Sequence, residues 1–276
     1  MEADRPAPCV PRGGLRSLVY RALLSSAHGL YKAGNGCLFT AAGLLWRDEL
    51  QAASVDQYRF FNVSAFDVDV GLSPAEQHFY RRFLRDRDRV LLVGSGSGRD
   101  LIALHSLGCD VTGLEPIPEL VELARQHLER RGISASVQTG LIQTAEIAGP
   151  YDAVIFSNCC YSCIQGRQTR VDSLVRVSRQ ISARGRVIVS YHPAKSQSAL
   201  GHWLARASAR LGGVDWRPEP GDTFARDFQV PGRIRFYRAF EPKEFANECA
   251  AAGLTVLTDE PSDEGARFAA AAIGSA

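Results

Sequence analysis

Between Arg89 and Leu107 the chain passes from an apolar run, Val90-Leu91-Leu92-Val93, through glycines at 94, 96 and 98, into a helical pattern beginning at Asp100. A short apolar run is a buried strand, and glycine lets the backbone turn tightly and approach a ligand with no Cβ in the way. Backbone N–H groups at the start of the following helix can meet polar ligand groups. A Gly-x-Gly-x-Gly run is weak evidence alone, but here the flanking elements match what a nucleotide-type loop needs.

The same strand–helix alternation continues along the chain. Strands are predicted at Asp110–Leu114, Ala135–Thr139, Tyr151–Ser157 and Gly185–Tyr191. Helices are predicted at Ala75–Leu84 (begun by Ser73-Pro74), Asp100–Leu107, Pro118–Arg131 and Arg170–Ile181. This rhythm predicts an α/β, doubly wound, mostly parallel sheet covered by helices on both faces. Residues 193–232 break the rhythm with Pro193, Pro218, Pro220, Gly221 and Pro231. They read as an insertion after the fifth strand, with one short helix at Ala199–Leu211 and the large rings Trp203, Trp216 and Phe224. The chain divides into an N-terminal helical cap (1–73), a core (74–192), the insertion or substrate-side lid (193–232) and a segment completing the sheet (233–276).

Composition sets outer limits. The 276 residues carry 32 Lys+Arg against 30 Asp+Glu, which argues against a nucleic-acid partner. No apolar run approaches the length of a membrane span. Seven cysteines, an odd count behind no secretory signal, point to a reducing cytoplasmic setting rather than a disulfide framework. Residues 5–47 hold Arg5, Arg12, Arg16, Arg21, Lys32 and Arg47 but no acid. Leu15, Leu18, Val19, Ala22 and Leu23 make one helical stripe there. That segment reads as a helical cap, as a basic amphipathic element touching a membrane peripherally, or as a transit peptide.

Glu115 ends the second strand, where a carboxylate can accept hydrogen bonds from both hydroxyls of a ribose; the alternative is a solvated acid at a helix start. With these residues in place the chain resembles the class I S-adenosylmethionine-dependent methyltransferases over residues 74–192, more weakly beyond. Val90–Gly98 is similar to that family's first motif, with Gly94, Ser95, Gly96 and Gly98 under the methionyl part of S-adenosyl-L-methionine. Glu115 matches the ribose acid, Pro116 and Ile117 the positions beside adenine, and Leu141 and Ile142 the segment that packs the adenine ring. Asn158 matches the rim after the fourth strand. The resemblance implies a seven-stranded sheet with its last strand antiparallel. Leu92 and Leu141 depart from it, since many members carry acids at those places. A nicotinamide dehydrogenase is disfavoured because Arg99 occupies the slot of its third glycine.

For methyl transfer, His192 is the candidate general base and Tyr161 a candidate for orienting the substrate. Tyr58, Tyr191 and Trp203 are candidate substrate-side residues, with Phe60 and Phe61 part of the closing cap. Each has a plainer reading as packing. Cys159, Cys160 and Cys163 suggest either small apolar packing or thiol or metalloid chemistry, and the spacing holds no second pair for a metal. The functional expectation is methyl transfer to a small organic molecule. The alternative is a non-catalytic binding or scaffolding subunit of the same fold. The sequence sets no oligomeric state.

Overall fold

The computed structural model describes residues 14–59, 68–194, 199–226 and 234–274. Phe60, Phe61 and Pro231 lie outside that set. Five parallel strands form the core in the order β3 (Ser136–Thr139), β2 (Asp110–Glu115), β1 (Arg89–Val93), β4 (Tyr151–Phe156), β5 (Ile181–Pro193). β9 (Arg267–Ile273) joins β5 antiparallel, from Val187 opposite Ala271 to Tyr191 opposite Arg267. β8 (Leu254–Pro261) completes that edge, antiparallel to β9.

Side chains alternate across the sheet as the two-residue period of a strand demands. Leu91, Val93, Val154, Phe156, Val187 and Val189 fill the core on one face. Val90, Leu92, Ala153, Ile155 and Ile188 fill it on the other. Leu92 is thus an apolar core residue whose side chain is fully buried. The helices α3 (Pro74–Phe83), α4 (Arg99–Ser106), α5 (Pro118–Arg130), α6 (Arg167–Ser178) and α8 (Glu244–Ala251) cover the sheet. Their starts follow local chemistry: Ser73 and Glu76 form a reciprocal capping box on α3. Pro118 stands in the first turn of α5, which buries Val121, Ala124 and Leu128.

The structure adds a hairpin to the expected seven strands. β6 (Asp222–Arg226) and β7 (Ile234–Phe240) pair antiparallel, and the last residues of β5, His192 and Pro193, pair parallel with Ala239 and Phe240 of β7. The excursion from the core therefore runs through Phe240 rather than ending at 232. β6 was illegible in the sequence because Asp222-Thr-Phe-Ala-Arg lacks a strand-like apolar alternation and sits behind Pro218, Pro220 and Gly221.

The N-terminal helices α1 (Gly14–Ala42) and α2 (Arg47–Arg59) pack on this excursion. Ala42 and Leu50 join Ala205 and Ala209 of α7 (Ala199–Leu211) and the rings of Trp216, Phe224 and Phe236 in a third core. The contact is close enough that a Cβ on Gly43 would lie 2.2 Å from the Ala205 carbonyl oxygen. Two of the expected rings, Trp216 and Phe224, are buried there, and Trp216 Nε1 donates to the Leu45 carbonyl at 2.6 Å.

A buried charge network ties the core to this second unit. Arg170 of α6 is fully buried and donates through Nη2 to Glu248 of α8 at 2.8 Å and to Glu219 of the excursion at 3.1 Å. Arg238 of β7 pairs with Asp222 at 3.1 Å and with Glu244. Burial pushes the Asp222 carboxyl up to about 6, against the pull of Arg238. Removing one partner of a buried pair leaves a charge stranded, at a cost of about 3–5 kcal/mol. Glu248→Ala is therefore expected to destabilise the chain by about that amount in chemical denaturation. The double replacement Arg170→Met/Glu248→Leu should cost less than the sum of the two single changes. Additivity would show that the two residues are uncoupled.

Candidate active site

The carboxyl ends of β1, β2 and β4 open into one cleft, at the point where the strand order reverses between β1 and β4. Open α/β sheets bind ligands at this place. The cleft encloses about 1180 Å³ of space between atoms, its solvent-open mouth included. The glycine loop forms its floor, residues 140–143 and 115–117 one side, and 156–158 with the turn after β4 the other. α2 roofs it with Gln51, Ser54, Val55 and Tyr58.

Glu115 holds the centre. Its Oε2 accepts from the Gly96 N–H at 2.9 Å and its Oε1 from the Ile117 N–H at 3.1 Å. Burial pushes its carboxyl up to about 7, although both backbone donors favour the ion. The folded value lies above the unfolded one. Its contribution to stability is therefore complete below about pH 4.5 and is lost as pH rises through about 7. Each carboxylate oxygen keeps a further lone pair for a ligand hydroxyl.

The glycine loop divides its work. Gly96 has φ +54, and a Cβ built there would meet no atom, so bare backbone faces open space. A Cβ on Gly94 would lie 3.0 Å from Cys160 Cβ, and Gly98 caps α4 against Ala124. Beneath the loop, Arg99 donates to Asp100 at 2.5 Å and to Glu76 at 2.8 Å. Arg99 and Asp100 line the cleft, a part the sequence reading left out. Ser95 Oγ, Ser97 Oγ and Gln143 Oε1 are buried and lack a protein partner. Buried polar atoms of this kind are rare and mark places that a ligand or solvent satisfies.

Gly94, Ser95, Gly96, Glu115, Pro116, Ile117, Leu141, Ile142, Asn158 and Tyr58 all line this cleft. Asn158 and Cys159 both have positive φ (44° and 57°), and the Cys159 N–H donates to Ser190 Oγ at 2.8 Å. Left-handed non-glycine residues in succession are strained and cluster at functional sites.

Five of the candidates are not among the lining residues: Gly98, which begins α4, and four side chains that stand elsewhere. Tyr161 is fully buried and donates its hydroxyl to Glu248 at 2.7 Å, which makes it part of the charge network. Tyr191 donates to Asp259 at 2.8 Å and stacks on Phe245. His192 is carried past the cleft because β5 runs on to pair with β7, and its exposed ring packs edge-on against Tyr237. Trp203 is 64% exposed on α7. The plainer packing readings describe Tyr161 and Tyr191.

Cys160 and Cys163 line the cleft wall, and Cys163 Sγ lies 3.2 Å from the Tyr58 hydroxyl. Burial pushes all three thiols up, Cys159 to about 12. They are protonated near neutrality and behave as small packing groups. Among the described residues no group of His, Cys, Asp or Glu is arranged to hold a metal. The sequence reading reached the α2 wall through Tyr58 alone and missed Gln51, Ser54, Val55 and Gln143. The only signal for α2 was its position before the core, which does not reveal which face turns inward.

Comparison with known proteins accords with this geometry. Residues 90–181 match the family described as "Methyltransferase domain". Protein-L-isoaspartate O-methyltransferase 2 of Marinobacter nauticus is 30% identical over 109 residues, 38% of this chain and 45% of that protein. A ubiquinone biosynthesis O-methyltransferase of Xanthomonas axonopodis pv. citri is 38% identical over 24% of this chain and 28% of its own length. The chain thus spans less than half the length of these curated relatives. Among solved structures, the 1,6-didemethyltoxoflavin-N1-methyltransferase of Burkholderia thailandensis superposes with a TM-score of 0.57 at 17% identity, covering 82% of this chain and 88% of that one. Residues 90–181 are thus similar to a methyltransferase domain, and the chain shares its fold with the methyltransferase of Burkholderia thailandensis.

Proposed function

We propose that this protein transfers a methyl group from S-adenosyl-L-methionine to a small, uncharged organic molecule. The observation that carries the reading is Glu115, a buried carboxylate that accepts from the Gly96 N–H and lines the same cleft as the bare backbone of that glycine. The residues fit the cofactor: Glu115 for the ribose hydroxyls, the Gly94–Gly96 turn for the methionyl part, and Leu141 and Ile142 for the apolar faces of the adenine. Where many members of the fold carry an acid, Leu141 offers none. Gln143, which lines the cleft and whose Oε1 is buried without a protein partner, would accept from the adenine amine instead. When bound, the cofactor supplies an electrophilic methyl group on sulfonium.

The remaining chemistry is positioning. The α2 end of the cleft presents Gln51, Ser54, Val55 and Tyr58, and the turn after β4 adds Cys163 and Ile164. None of these carries a full charge near neutrality. Burial holds the Tyr58 hydroxyl well above its usual range, protonated. Such walls favour a neutral acceptor oriented by hydrogen bonds from amide and hydroxyl groups and shielded from water, with proximity supplying the rate. The relatives' own names span oxygen and nitrogen acceptors, and the acceptor atom here stays within that range as part of the proposal.

Titration calorimetry with S-adenosylmethionine and its demethylated product tests the cofactor half. Ribose hydroxyls are accepted by the ionised carboxylate, so affinity should rise by about tenfold from pH 6 to pH 8. Glu115→Gln should bind more weakly and lose that dependence; an unchanged slope would remove Glu115 from the site. Gly96→Val should retain the fold, at about 1–3 kcal/mol of backbone strain, and lose binding. Gln143→Leu should lower affinity for adenine-containing ligands by about fivefold or more, the scale of one hydrogen bond with its partner left unsatisfied. Normal binding by either variant would show that its position lies outside the cofactor site.

A further inference from the structure

The first nineteen or so residues of α1 have no place in the packing described above. Leu15, Leu18, Val19, Leu23 and Leu30 are between 49% and 76% exposed. A Cβ on Gly29 would meet nothing within 4 Å, residues 21–33 are exposed, and among the described glycines of α1 those that approach the body are Gly34 and Gly36, beside Arg226 and Leu204. At 1.5 Å per residue, the projecting part is about 28 Å long. Leu15, Leu18, Val19 and Leu23 share one face by helical spacing, Arg21 and Lys32 flank it on the side of Leu18, and the far side carries exposed Leu24 and Tyr31. No acid occurs from residue 5 to residue 47. No described helix is long and apolar enough to cross a membrane.

We infer that this projecting part of α1 is a docking surface for an anionic lipid bilayer, on which the helix lies flat. Its apolar face would enter the acyl boundary while Arg21 and Lys32 stay among the headgroups. Charge selects this occupant over a second copy of the chain, because pairing two α1 helices would bring two acid-free basic segments together. An anionic surface instead attracts each basic residue brought near it. This inference is independent of methyl transfer.

The test is flotation of the full chain with vesicles of phosphatidylcholine alone, and of phosphatidylcholine with about one-third phosphatidylglycerol. Binding is expected to the anionic vesicles only and to weaken with salt. Leu18→Ser/Leu23→Ser and Arg21→Glu/Lys32→Glu should each reduce it by about tenfold or more. These side chains are exposed, so circular dichroism and melting temperature should stay at the parent values. Absence of binding to anionic vesicles would overturn the inference. So would equal, salt-independent binding to neutral vesicles. A concentration-dependent dimer in sedimentation, abolished by Leu18→Ser/Leu23→Ser and accompanied by no vesicle binding, would assign the face to self-association instead.

Discussion

The fully buried guanidinium of Arg170 sets the relation between the two halves of this molecule. It reaches Glu248 in the sheet-covering layer and Glu219 in the excursion, while Arg238 joins Asp222 to Glu244 beside it. Charges removed from water are tolerated when they are paired in this way, and the geometry that pairs them is specific. Tyr161 adds a hydroxyl to Glu248, and Phe240 lies under both guanidinium groups. The network reaches the cleft wall through the bond from Arg170 Nη1 to the Ile164 carbonyl at 3.3 Å, and it fixes the excursion against which α1 and α2 pack. The α2 wall therefore stands where it does through two successive packings.

The cofactor half of the cleft rests on different forces. β1, β2 and β4 are held by parallel ladders and by side chains buried on both faces. The glycine turn is fixed from above by the carboxylate of Glu115 and from the side by the Cys160 wall. A loop already bonded to the carboxylate proposed for the ribose loses little freedom when a ligand arrives, which is the meaning of preorganisation here.

Much of this was legible in the sequence, and the reasons are local. β1 and the three glycines announce themselves through composition and spacing, Glu115 through its place at a strand end, and α3 through Ser73, Pro74 and Glu76. The readings that went astray concern residues whose role depends on distant partners. Tyr161 and Tyr191 stand at the ends of core elements, where a ligand group would be expected. Glu248 and Asp259, 87 and 68 residues away, claim their hydroxyls. His192 ends an apolar strand in the sequence, but β5 continues into a pairing with β7 that no local pattern foretells. Gln143 is a polar residue in a loop, and only the three-dimensional arrangement shows that its oxygen is buried without a partner.

The strand β5 serves two masters along its length. Its middle, Val187 to Tyr191, is bound on the outer side by β9, and its final residues by β7. The edge of the fold is thereby split: one stretch closes the core, the next launches a separate body that carries the roof of the cleft. A lineage built this way can exchange the acceptor it recognises by rewriting the hairpin, α7 and the helices leaning on them. The strands and turn proposed to hold the methyl donor would be left unaltered.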